Sequence, residues 1–218
     1  MLANPYQSGL HHTITLAKKP HLCASLADFV QLAHIDESHW VCFSSINCPP
    51  GVVDVYDSAP YSLSTSKVLL KQVAAVAKCQ DNTLEVRFID VQVQEGTNDC
   101  GLFAIAFATA FCNGVDPYSL SLDQKSMREH LLNCFEEGEM STFPLSLQPR
   151  RFARRRVRKM QKVPVYCHCR LPWDRRDTSH GSLAQCGRCK EWFHQECASI
   201  PLDAVSYTHL TLPTIYSV

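Results

Sequence analysis

The chain has 218 residues, enough for one sizeable domain alone or with a small module. Apolar residues make up 45% of it, and no stretch approaches the ~18 consecutive apolar residues of a membrane-spanning helix, so no membrane partner is expected. The net charge of zero conceals an asymmetry: residues 1–146 hold 8 Lys/Arg against 16 Asp/Glu, and residues 147–218 hold 13 against 5, so two parts with different partners are expected.

The opening MLANPYQSGLHH has no basic start leading into an apolar stretch, and no secretory signal is expected. Seven of the twelve cysteines (Cys23, Cys42, Cys48, Cys79, Cys100, Cys112, Cys134) are scattered without a pairing pattern, as in a protein with reduced thiols, cytosolic or nuclear. Residues 25–34 are apolar enough for a strand or a short helix. His39 to Phe43 begins a β-rich run, the turn-forming NCPPG follows, and Val52 to Tyr56 reads as its hairpin partner. A hairpin of this length brings Asp57, at the end of the second strand, near His39 at the start of the first. Asp54 competes with Asp57, but their odd separation puts them on opposite faces of a regular strand.

Ser66 to Lys78 has apolar positions at helical spacing. Leu84 to Val93 alternates like a strand and delivers Gln94 to the turn before Cys100. From Gly101 to Ala108 no polar residue interrupts the chain, as in a helix surrounded by core, and Asn98 or Asp99 is the candidate N-cap. A further helix is expected from about Leu122 to Glu137. The order is hairpin, helix, strand, helix, helix, an α+β arrangement in which His39, Asp57, Gln94 and Cys100 converge.

A thiol at the head of a buried helix feels unpaired N–H groups and the positive end of the helix dipole, both favouring thiolate. A thiol peptidase also needs an imidazole to accept and return the proton, a group to orient that imidazole, and donors for the oxyanion. Cys100 fits the nucleophile, His39 the base, Asp57 the orienting group, and Gln94 with the backbone N–H of Cys100 the oxyanion donors. Singly these are a core thiol, a turn histidine, a strand-end carboxylate and a solvated glutamine; only their joint spacing gives them one reading.

His39-Trp40, then Val55-Tyr56-Asp57-Ser58, then Gln94 six residues ahead of Cys100 in Asp-Cys-Gly closely resemble the ubiquitin-like-protein protease family. The resemblance spans about residues 25–140 and implies a papain-like cysteine peptidase with no catalytic cofactor, acting on ubiquitin-like modifiers such as SUMO or NEDD8 or on their conjugates. Only 38 residues precede the histidine, fewer than members usually have, so the substrate-groove segments are expected to be incomplete. The phrases FVQLAHIDESHWVCFSS and GVVDVYDS also resemble protease-like reading frames of metazoan mobile elements. They imply an alternative: an inactive peptidase fold acting through its second part.

Gln148 to Lys162 holds eight Lys/Arg and no acid, and reads as a solvated basic linker over 147–163, suited to nuclear targeting or to non-specific contact with nucleic acid. Cys167-x-Cys169, Cys186-x-x-Cys189 and His194-x-x-Cys197 then follow at metal-type spacing. With Trp192-Phe193-His194 they resemble a PHD finger over residues 164–204. That resemblance implies Zn(2+) held by Cys167, Cys169, His194 and Cys197, with Cys186 and Cys189 lacking the pair that completes a second site, and a histone tail or other chromatin protein as partner. Trp173 and Trp192 come under discussion as cage residues, with Trp192 read as a core residue. Residues 205–214, VSYTHLTLPT, resemble a conceptual translation of a sequencing-library adapter, and residues 205–218 are set aside from fold reasoning, leaving residues 1–146 as the peptidase domain.

Overall fold

The computed structural model describes residues 13–14, 28–36, 38–59, 66–77, 79, 81–147, 154–173 and 182–200. The adapter-like tail, the first six residues of the basic run and residues 201–204 lie outside that set. Six strands form one sheet in spatial order: β1 (Thr13–Ile14), β2 (Val30–Ile35), β3 (His39–Ser44), β4 (Val52–Tyr56), β5 (Thr83–Ile89) and β6 (Val157–Pro164). Neighbours run antiparallel except β4 and β5, which are parallel and connected through α1 (Lys67–Ala77).

The central strand β4 is buried on both faces. Val53 and Val55 join Phe43, Val86, Leu69 and Val73 on the α1 side, while Tyr56 joins Cys42, Ile89 and the rings of Phe103 and Phe107 on the other. That second face is covered by α2 (Cys100–Cys112), whose residues from Leu102 to Phe111 are buried except Ile105, as its uninterrupted apolar sequence requires. Tyr56 meets Phe111 edge-on at 5.1 Å between ring centroids, pinning the helix to β4. The last helix, α3 (Met127–Glu137), ends at Gly138 in the left-handed conformation that glycine adopts without steric penalty.

Several boundaries differ from the sequence expectation for identifiable reasons. The strand expected to run to Val93 ends at Ile89, because the N–H of Asp90 turns to the carbonyl of Arg156. The helix expected from Leu122 begins at Met127; the N–H of Leu122 is held at 2.6 Å by the side chain of Gln92, and Leu122 bridges to Leu145. Residues 25–34 contribute a strand, Val30–Ile35, rather than a helix.

The larger correction concerns the basic run. Residues 157–164 are not a solvated linker but strand β6, paired with β5 from Thr83↔Pro164 to Ile89↔Val157. The cause is Asp54, which lies in the middle of β4 with no solvent exposure. Arg87, its neighbour on β5, donates through Nε at 2.7 Å, and Arg155 forms the second ion pair. Arg155 also reaches Asp116 at 3.1 Å and the hydroxyl of Tyr56 at 3.1 Å. Burial raises the pKa of the Asp116 carboxyl and lowers that of the Arg155 guanidinium, so each is costly without the other.

Membership of β6 in the sheet carries a measurable consequence. Val163 is buried in the α1-side core, so Val163→Asp places an unpaired charge there and lowers stability in chemical denaturation by about 3 kcal/mol or more. A solvated linker would tolerate the same change.

Candidate functional site

The thiol site lies at one end of the sheet, where β3 begins, β4 ends and α2 begins. His39 is buried at the first position of β3 and Asp57 directly follows β4. The imidazole Nε2 of His39 lies 2.8 Å from Oδ1 of Asp57. An ionised carboxylate only accepts, so Nε2 carries the hydrogen, and Nδ1 is the ring nitrogen left to exchange a proton with a thiol. The same Oδ1 accepts from the backbone N–H of Ala59 at 2.8 Å, which fixes the carboxylate against rotation. Asp54 is directed elsewhere, into its arginine pairs on the other face of β4.

Cys100 is the first residue of α2 and is 7% exposed. Helix α2 packs against β3, and at its head a Cβ added to Gly101 would stand 3.6 Å from Cδ1 of Trp40. The start of α2 is therefore laid against the residue next to His39. Asp99 occupies the N-cap position but its side chain makes no cap hydrogen bond. Its carboxylate accepts instead from Gln124 at 2.6 Å and from Arg128. The first N–H groups of the helix, which have no intrahelical acceptor, are thus left without a side-chain cap at the end that begins with Cys100.

Gln94 is buried beside this group rather than solvated. Its Oε1 accepts from the hydroxyl of Ser58 at 2.8 Å and its backbone N–H donates to the Ser58 carbonyl at 2.9 Å. With Oε1 so engaged, the amide nitrogen is the end left to act as a donor, and one of its hydrogens goes to the Gly96 carbonyl at 3.1 Å. Ser58, which closes the Val55-Tyr56-Asp57-Ser58 motif, had no role assigned from sequence. Its contact with Gln94 spans 36 residues of sequence, which local spacing does not reveal.

The second group of functional side chains lies beyond β6, around a small hairpin of β7 (Leu183–Gln185) and β8 (Trp192–His194). Cys167, Cys169, His194 and Cys197 place their ligand atoms within 4.8 Å of one another, and no other such group occurs among the described residues. The Sγ of Cys169 lies 3.2 Å from Nδ1 of His194, which is fully buried. Cys167 and Arg170 both adopt left-handed backbone, at φ 63° and 55°, folding the Cys-x-Cys segment into a tight knuckle around the common point. Such non-glycine strain persists only where the surroundings fix it.

Three thiols and one imidazole at this closeness fit zinc, which takes four N/S ligands tetrahedrally. Without a cation the set opposes ionisation: burial, and then the neighbouring Cys169 thiol, push the Cys197 thiol up to about 12, and burial raises Cys169 as well. Cys186, buried, and Cys189, exposed, stand outside the group in the turn joining β7 to β8. Trp192 is not the core residue expected. It is 43% exposed at the rim of a three-residue strand, because a module this small leaves its outer positions uncovered.

No family model matches the chain, and no solved structure gives a significant match. A stretch of 44 residues, 20% of the chain, is 43% identical to lysine-specific demethylase phf2 of Danio rerio. A stretch of the same length is 41% identical to histone lysine demethylase PHF8 of the same organism. The match covers 4% of each of those proteins, so this chain spans a small part of their length.

Two measurements follow from the geometry. Zinc binding displaces protons from thiols whose pKa values are raised, so apparent affinity for zinc climbs with pH by about tenfold per unit for each proton displaced, as read by competition with a chromophoric chelator between pH 5.5 and 8. A flat profile would show that the thiols are not the ligands. At the thiol site, Ser58→Ala frees the Gln94 amide to rotate. Loss of this buried hydrogen bond is expected to lower stability by about 1 kcal/mol, read as a melting temperature lower by a few degrees.

Proposed function

We propose that this chain carries a zinc-held, chromatin-type protein-binding module beside a thiol hydrolase domain. The observation that carries the first part is the convergence of Cys167, Cys169, His194 and Cys197 in a chain that shares a 44-residue stretch with two proteins named as lysine demethylases, one of them of histones. The reading is of a PHD-type finger whose ligand is a basic peptide of the histone-tail kind. Trp173 and Trp192 are both exposed on the module, and aromatic faces attract a lysine ammonium or its methylated forms. A nuclear location is consistent with the Lys/Arg-rich segment over 148–162.

The second part is favoured by a separate observation, the buried His39–Asp57 hydrogen bond beside the head of α2. In this reading the Cys100 thiolate attacks a carbonyl carbon, and the oxygen that gains the charge is met by the Gln94 amide and the N–H groups at the start of α2. His39, held by Asp57, takes the thiol proton and returns it to the leaving amine; water then cleaves the thioester. The family resemblance supplies the substrate class, a ubiquitin-like modifier or its conjugates, and the papain-like description of the fold.

The two parts are tested independently on the full chain. Titration calorimetry with histone-tail peptides, trimethylated and unmodified at lysine, is expected to show binding that disappears in the chelator-treated protein and weakens at least about tenfold in Trp192→Ala. Zinc-independent binding, or none, removes the module reading. A ubiquitin-like modifier bearing a C-terminal electrophile is expected to form an adduct with the protein but not with Cys100→Ser. Equal reaction of both would remove the hydrolase reading and leave the module as the active part.

A further inference from the structure

The strand that was expected to be a linker touches both sites. At one end of β6, Nη2 of Arg158 donates to the backbone carbonyl of Asp57 at 3.3 Å, and the N–H of Asp90 donates to Arg156 at 2.8 Å. At the other end the strand stops at Pro164, Val165 enters the α1-side core, and Cys167 already belongs to the Cys/His group. Asn82, immediately before β5, also fastens this end. Its backbone carbonyl accepts from Val165 at 3.0 Å. Its side-chain oxygen accepts from Arg170 at 2.6 Å, and its side-chain nitrogen donates to Glu191 at 3.3 Å. Arg170 and Glu191, both from the module, lie 3.8 Å apart.

We propose that metal held by Cys167, Cys169, His194 and Cys197 keeps β6 locked in the sheet, and that through Arg158 this lock keeps Asp57 in place behind His39, so that the metal group governs the thiol site from the opposite end of a strand. The proposal rests on the zinc and thiol hydrolase readings above. Strand β6 lies at the edge of the sheet, and of its residues only Val163 is buried. It is therefore retained by its ladder to β5 and by what holds its ends, not by a broad apolar face. The module that holds one end has few buried apolar residues, chiefly Ala184 and Ile200 besides its cysteines. Modules of this size fold with their metal. When the metal leaves, Arg170 and Glu191 lose their fixed positions, Asn82 loses two of its three partners, and the strand is released from that end. Arg158 is a positioning residue: it acts on Asp57 through the backbone and does not touch the reacting atoms.

Hydrogen exchange on the full chain, zinc-loaded and chelator-treated, tests the lock directly. Removing zinc is expected to speed exchange of the 157–165 amides by at least about tenfold, with a smaller increase over 83–88. It is also expected to slow alkylation of Cys100 by iodoacetamide near neutral pH, read by peptide mass, and to move the pH profile of that alkylation upward. Asn82→Ala is expected to keep its full zinc content yet reproduce part of both effects, which separates the lock from unfolding of the module. Zinc content and the alkylation of Cys100 in the loaded protein report on the two underlying readings by themselves. If zinc is bound and Cys100 reacts, but exchange over 157–165 does not change when zinc is removed, only the coupling is overturned. If zinc is not bound at all, the coupling falls with the zinc reading.

Discussion

A carboxylate with no access to solvent, in the middle of a strand buried on both faces, is tolerable only when cations and hydrogen-bond donors surround it. Asp54 is that carboxylate. Its partners come from far apart in sequence: Arg87 from the neighbouring strand and Arg155 from the Lys/Arg-rich segment beyond α3. Arg155 extends the set to Asp116, after α2, and to Tyr56 in β4. The requirement to neutralise one charge thus draws the end of the first domain back against its centre, and β6 follows as the outermost strand.

The same strand β4 separates structure from chemistry through its pleat. Asp54 and Asp57 are three residues apart, so one is committed to the arginine network and the other is offered at the strand end to His39. On the proposed hydrolase reading, the Cys100 thiol must be held without being blocked. Helix α2 meets the first requirement by burying nearly its whole circumference. Asp99 meets the second by turning its carboxylate to Gln124 and Arg128 instead of capping the helix. The cost of an absent cap is about 1 kcal/mol, a modest loss for leaving the first N–H groups of the helix uncapped by a side chain.

The charge division of the sequence, acidic before residue 147 and basic after it, does not coincide with the structural division. Five of the basic residues, Arg155, Arg156, Arg158, Lys159 and Lys162, lie on or just before β6, a strand of the otherwise acidic part. The metal-type module is joined to that part through Asn82 rather than suspended from a free tether. The positive segment is thereby both an internal counter-charge and a mechanical link.

Local chemistry made much of this legible in advance. The apolar run after Cys100, the hairpin turn before β4, the alternation in β5, and the Cys/His spacing each identify an element or a candidate ligand set, because such signals depend only on residues near one another in sequence. Even the nearness of His39 and Asp57 follows from a short hairpin. What needed the tertiary structure was every partnership across distant chain: Ser58 on Gln94, Asp99 on Gln124 and Arg128, and Arg155 on Asp54. A run of arginines looks the same whether its counter-ions are in solvent or in the core. The sequence by itself therefore determined the local elements and the spacing of the Cys/His group, and only the folded chain decided which charges are neutralised internally, since that depends on which surfaces burial brings together.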